Sequence, residues 1–171
     1  TPMRILVIKD QAAKSSAAVN QRLIPALTAL GHRVIPVDVI GYVPLFGHEG
    51  AQRLALAHAR AFRPHVAIAC PPYDMLAPET CEGLQALDVP LIGWRYDDPL
   101  QLATLAGRPV EQMRYFALDA AKFTLNATNS RSAHDRMQAL GIGSAAYLRM
   151  AADLPPLPKD APPLPAMDIG F

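Results

Sequence analysis

Cysteine is scarce in this chain, and its scarcity is informative. Only Cys70 and Cys81 occur, too far apart for a CxxC pair and without histidines at zinc-ligand spacing, so neither a dithiol redox motif nor a metal site is indicated. Both are expected to be reduced, buried thiols. An excess of either charge is also lacking. Sixteen Lys and Arg against fifteen Asp and Glu leave a formal charge of +1, which creates no broad field for a nucleic-acid backbone or an anionic membrane. No apolar run approaches the roughly 20 residues that span a bilayer, and the start carries no signal-peptide pattern. The expectation is a cytoplasmic protein with no transmembrane segment and no nucleic-acid partner. Thr1 and Pro2 precede a Met3 that reads as the natural start.

The phosphate-cradling signatures are missing too. The first apolar run is followed by KDQAAKSS, which is neither GxGxxG nor GxxxxGK[ST], so tight dinucleotide or nucleoside triphosphate binding is not expected and no cofactor is indicated. There is no GxSxG elbow. No repeat with a period of 20 to 50 residues is present, and the one biased segment is the proline-dense LPPLPKDAPPLPA of Leu154 to Ala166, which reads as a semi-rigid linker.

What is present is enough apolar material for one domain. At 171 residues and 51% hydrophobic, the chain can bury a continuous core without a metal or a disulfide. RILVIKD, from Arg4 to Asp10, is a short β-branched run that ends abruptly in charge, as a strand buried on both faces does. Further strands are expected at Arg33 to Val39, His65 to Cys70, VPLIGWR, Lys122 to Thr128 and Ser144 to Arg149. Pro36 would remove a ladder hydrogen bond, so the second strand belongs at an edge or bulge.

Helical spacing links these strands. Leu23, Ile24, Leu27 and Leu30 mark a first crossover helix stopped by Gly31, with Asn20 as N-cap if Pro25 is to fall in the first turn. GYVPLFGHEG reads as a loop, Ala51 to Phe62 as a helix broken at Arg63 and Pro64, and Pro71 to Asp74 as a rigid turn. Pro78 opens a helix carrying Cys81, Leu84 and Leu87, two short helices are expected within Leu100 to Leu118, and Ser130 to Leu140 forms a last helix closed by Gly141. Strands alternating with helices predict an α/β, Rossmann-like three-layer sandwich on a mainly parallel sheet of about six strands.

In such a sheet, ligands collect in the crevice beyond the carboxyl ends of the strands, near the reversal of strand order. That rule selects Lys9, Asp10 and Gln11 after the first strand, and Tyr73 and Asp74 after the third. It adds Arg95, Tyr96, Asp97 and Asp98 after the fourth, and Asn129 and Ser130 after the fifth. In the common doubly wound order the first and fourth strands flank the reversal, so Asp10 would face Asp97 and Asp98. WRYDDP sets an aromatic ring, a guanidinium and two carboxylates directly after an apolar strand; a carboxylate there can accept a sugar hydroxyl's proton or hydrogen-bond it. Capping of the next helix explains Asp98 equally well, and capping also explains Asn129 and Ser130. His48 sits in a glycine-flanked loop; His32, His58, His65 and His134 read as ordinary surface histidines.

The stretch TNSRSAHDRMQALGIGSAAYLRMAADLPPLP contains a strand, an Asn129–Ser130 helix start, a helix ended by Gly141, another strand, Asp153 and a proline-rich exit. It resembles the end of the N-terminal domain of retaining-type glycosyltransferases of the GT-B fold. VPLIGWRYDDP, through Trp94, Asp97, Asp98 and Pro99, is similar to a strand-Trp-Asp-Pro signature of the spore-maturation-protein-like glycosyltransferases, and the closing MDIGF resembles the first strand of their C-terminal domain.

The resemblance implies an acceptor-side domain over residues 1–153, an interdomain linker over 154–166 and the start of a C-terminal domain at 167–171. A small-molecule or glycan acceptor would lie against this domain, and the C-terminal domain would hold the nucleotide-sugar donor. Asp97 or Asp98 would act as base or acceptor-orienting carboxylate, and the chain by itself would be inactive. Two other readings stand beside it. A signalling receiver domain opens in the same way but needs a phospho-accepting Asp at the end of its third strand, where HVAIAC has Ala69 and Cys70. A non-catalytic small-molecule-binding module would use the same crevice.

Overall fold

The computed structural model describes residues 1–9, 19–70, 76–95 and 121–148. Six strands form one sheet in the order β2-β1-β3-β4-β5-β6, and every neighbouring pair is parallel. They are β1 (Arg4–Lys9), β2 (Arg33–Asp38), β3 (Val66–Cys70), β4 (Leu91–Arg95), β5 (Leu125–Thr128) and β6 (Ala145–Tyr147). The described helices are α1 (Ile24–Ala29), preceded by a π-helical turn at Val19–Leu23, then α2 (Val39–Phe62), α3 (Pro78–Gln85) and α4 (Arg131–Ala139). This is the expected Rossmann-like α/β fold.

Two apolar layers sandwich the sheet because successive strand residues point to opposite faces. On one face Ile5 and Val7 of β1 join Ile68 and Cys70 of β3, covered by Val19, Leu23, Ile24 and Leu27. On the other, Leu6 and Ile8 pack with Ala67, Ala69 and Leu91 beneath α2, α3 and α4. The α2 contact stripe is Ala51, Ala55 and Ala59, all buried, and these small side chains let the helix lie close against β1 and β2. The two cysteines fall in different layers, Cys70 on β3 in the layer covered by α1 and Cys81 on α3 in the other, so the sheet keeps them apart.

The strand order differs from the one expected. α1 crosses from β1 to β2 on one face, and α2 returns on the other face past β1 to deliver β3 on its far side. Right-handed crossovers require that change of face when the direction of winding reverses. The reversal therefore lies between β1 and β3, and β1 and β4 are separated by β3. Asp10 and the Asp97/Asp98 pair follow strands that are not neighbours.

β2 forms one edge of the sheet, which accommodates Pro36, and its pairing with β1 continues through Lys9 opposite Asp38. The segment read as a loop at GYVPLFGHEG is instead helical, part of α2, with the backbone break confined to Gly47 at φ 68°. Asp38 caps this helix by accepting the Gly41 N–H at 2.9 Å, and Ile40, Tyr42 and Val43 pack on the core. That apolar contact outweighs the local glycine and proline signals.

Pro25 does fall in the first turn of α1, but Leu23, with no side-chain cap, occupies the cap position expected for Asn20. Leu30 points to solvent at 73% exposure rather than to the core. Gly31 and Gly141 stop their helices with positive φ, as read from the sequence.

Candidate functional site

The carboxyl ends of the strands lie along one edge because all six run in the same direction. Lys9 closes β1 and Cys70 closes β3, directly opposite each other in register. Alternation places both on the α1 face, where Ile5, Val7 and Cys70 already lie. Trp94 of β4 packs into the same apolar layer, so its indole contributes to the sandwich. Lys9 is only 5% exposed, an unusual position for an ammonium group, whose burial is costly.

The far end of the edge is built by β5, β6 and the start of α4. Thr128 is fully buried and its Oγ1 accepts the Ser130 N–H at 3.1 Å. Ser130 then caps α4, its Oγ accepting the Ala133 N–H at 3.2 Å and lying 3.0 Å from Ser132 Oγ. Capping thus accounts for Ser130.

Asn129, between them, is different. Its side-chain oxygen is buried and finds no hydrogen-bond donor among the described residues. An orphaned acceptor of this kind costs about 1–3 kcal/mol, and in native structures it marks a place where water or a ligand supplies the donor.

Arg131 and Tyr147 were not selected from the sequence. The parallel register sets Tyr147 beside Thr128, and the Arg131 guanidinium lies over the Tyr147 ring at 5.3 Å from its centroid. A cation in the first turn of a helix opposes the helix dipole, and the aromatic face offsets part of that cost. The only sequence signal was an arginine directly after the Asn-Ser helix start.

Arg95 ends β4 by its backbone. Asp10, Gln11, Tyr73, Asp74, Tyr96, Asp97 and Asp98 lie outside the described residues, as do the turn at Pro71 to Asp74, the two helices expected within Leu100 to Leu118 and the proline-rich tail. Of the sequence-selected set, the described part comprises Lys9 at the β1/β3 reversal and Asn129 with Ser130 at the end of β5. Three strand spacings of ~4.8 Å separate β1 from β5, a width of about 14 Å.

His32 and His65 accept backbone amides at the opposite end of the sheet, and His134 pairs with Asp135 at 3.0 Å. No group of three or more metal-ligating side chains occurs among the described residues, and no described helix is long and apolar enough to cross a membrane. Comparison with protein-family models and with curated proteins finds no match to this chain.

Proposed function

We propose that this chain is the acceptor-side domain of a cytoplasmic glycosyltransferase. A small-molecule or glycan acceptor would lie in the crevice beyond the carboxyl ends of the strands, while a C-terminal domain holds the nucleotide-sugar donor. The observation that carries this reading is the buried Asn129 side-chain oxygen at that edge, which has no donor among the described residues and suits a hydroxyl-bearing ligand. A sugar hydroxyl donates one hydrogen bond to such an acceptor, and Arg131 with Tyr147 supplies a cation and an aromatic face alongside. Asp97 and Asp98 follow Arg95, the last residue of β4, and either serves as the base or as the carboxylate that orients the acceptor hydroxyl.

The test is sugar transfer by the full gene product, with acceptor and nucleotide sugar varied separately. Asn129→Ala should raise the acceptor KM with little change in donor KM, and Asp97→Asn or Asp98→Asn should lower kcat. Undiminished transfer in both aspartate variants would remove their role; transfer without any acceptor dependence on Asn129 would remove the crevice.

A second reading is favoured by one observation. The order β2-β1-β3-β4-β5 is also that of signalling receiver domains. β3, however, ends in the buried Cys70 where a receiver presents its phospho-accepting carboxylate. Incubation with a small phosphodonor followed by intact-mass measurement separates the two, since a receiver gains a phosphoryl group and the glycosyltransferase domain does not.

A further inference from the structure

The amino end of the sheet, opposite the candidate crevice, carries a cleft of about 490 Å³ between the end of α2 and the start of β4. That size falls in the usual range for small-molecule sites. Arg4, Arg60, Arg63 and His65 line it around the buried Pro64 and Val89, and no carboxylate does so among the described residues. The three guanidinium groups come from different places: Arg4 opens β1, Arg60 lies in the last turn of α2, and Arg63 follows that helix.

Within the protein these cations make few contacts among the described residues. Arg4 Nε donates to the Arg63 carbonyl at 2.7 Å, which fixes the guanidinium and occupies one of its five N–H donors. The Arg60 and Arg63 side chains have no ion pair or hydrogen bond among the described residues. His65 accepts the Arg4 amide at Nδ1, 3.2 Å away, leaving its Nε2–H as a further donor.

Favourable interaction with a helix C-terminus explains a cation at Arg60. It does not explain Arg4, which belongs to a strand. Nor does it explain why Arg63 sits at φ 49°, a left-handed position after a helix that glycine fills without steric cost. With a net charge of +1 over the whole chain, general attraction for anions does not account for the cluster either.

We propose that this cleft binds a small oxyanion carrying two or more negative charges, phosphoryl or polycarboxylate, through the forked donors of Arg4, Arg60 and Arg63. Guanidinium groups match both oxyanions by paired, charge-assisted hydrogen bonds. The inference is independent of the function proposed for the opposite edge.

The test titrates the full chain with pyrophosphate and, separately, with citrate in physiological salt, following heat and backbone amide shifts. Saturable binding tighter than about 1 mM is expected for at least one, with shifts centred on Arg4, Arg60, Arg63 and His65. Binding of pyrophosphate alone identifies a phosphoryl ligand and binding of citrate alone a polycarboxylate; either supports the site.

Arg63→Gly should weaken binding about ten-fold, the loss expected for hydrogen bonds to a charged group, while Tm stays level or rises because the left-handed position is relieved. Arg33→Gln serves as control, since Arg33 lies over Phe62 at 5.9 Å and does not line the cleft. Failure of both anions to saturate, unchanged affinity in Arg63→Gly, or equal weakening by Arg33→Gln would each overturn the proposal.

Discussion

Lys9 and Cys70 face each other across β1 and β3, the two neighbouring strands between which the winding of the sheet reverses. Both end their strands on the face covered by α1, and Lys9 is all but enclosed there. A buried ammonium at the reversal of an open parallel sheet sits where ligands of such folds bind. Lys9→Met keeps the length and apolar stem and removes the charge. Acceptor affinity of the full gene product should fall about ten-fold, the loss of one hydrogen bond to a charged group. The circular dichroism spectrum should not change. Unaltered acceptor affinity would place Lys9 outside the binding machinery.

The sheet was legible because its strands are buried on both faces and read as short apolar runs bounded by charge or proline. Runs such as RILVIK and VAIAC fall where β1 and β3 form, and the missing N–H of Pro36 pointed to an edge or a bulge, of which the structure has the edge. Strand order was not legible. Nothing local in the sequence says whether the connection after β2 adds a further outer strand or returns past β1, because that depends on how α2 packs across the sheet. The helical character of Val39–Phe46 was hidden for a related reason. Gly41, Pro44 and Gly47 signal a loop locally, while the burial that decides the matter is tertiary. Within the candidate site, Ser130 was readable as a cap from residue type, but the unsatisfied oxygen of Asn129 depends on the surroundings that folding gives it.

The start of α2 depends on close contact between Asp38 and Gly41. The Asp38 carboxylate accepts the Gly41 N–H at 2.9 Å, and a Cβ on Gly41 would overlap that carboxylate, its Cγ only 2.7 Å away. Alanine has the higher helix propensity by about 1 kcal/mol, but Gly41→Ala should realise little or none of that gain, because the cap must be displaced. Asp38→Ala removes the same cap and should cost about 0.5–2 kcal/mol. The double variant should be no worse than Asp38→Ala alone, since the clash disappears with the carboxylate. Urea denaturation of the three variants measures this; an additive double variant would contradict the shared cause.

The amide just before β1 and the first amide of the strand are satisfied by histidine rings. Met3 N–H donates to His32 Nδ1 at 3.1 Å and Arg4 N–H donates to His65 Nδ1 at 3.2 Å. A ring nitrogen that accepts carries no proton, so both neutral rings are held in the Nε2–H tautomer. Long-range nitrogen–proton correlation spectra at mildly alkaline pH should show the bare nitrogen to be Nδ1 in both residues. The exposed His48, which accepts no such bond among those described, serves as the internal reference. An Nδ1–H tautomer at either residue would exclude that bond in solution.

Asn126 joins β5 to the strand at the other edge of the sheet. It is fully buried on β5, its Nδ2 donates to Ser144 Oγ at 2.9 Å and its backbone N–H donates to the Ser144 carbonyl at 2.9 Å. Among the described strands β6 neighbours only β5 and is three residues long, and Ser144 directly precedes it, so this paired contact fixes where the strand begins. Asn126→Ala strands the Ser144 hydroxyl and opens a cavity, and should cost about 1–3 kcal/mol. Ser144→Ala leaves the buried amide short of one acceptor and should cost about 1 kcal/mol. Because the two changes remove one shared bond, the double variant should fall short of the sum by about 0.5 kcal/mol or more, the coupling expected of residues in contact. Hydrogen exchange should locate the loss in Ala145–Tyr147 first, since the edge strand opens before β1 and β3. A strictly additive pair, or exchange that accelerates evenly across the sheet, would show that Asn126 acts through the core as a whole and not through its bond to Ser144.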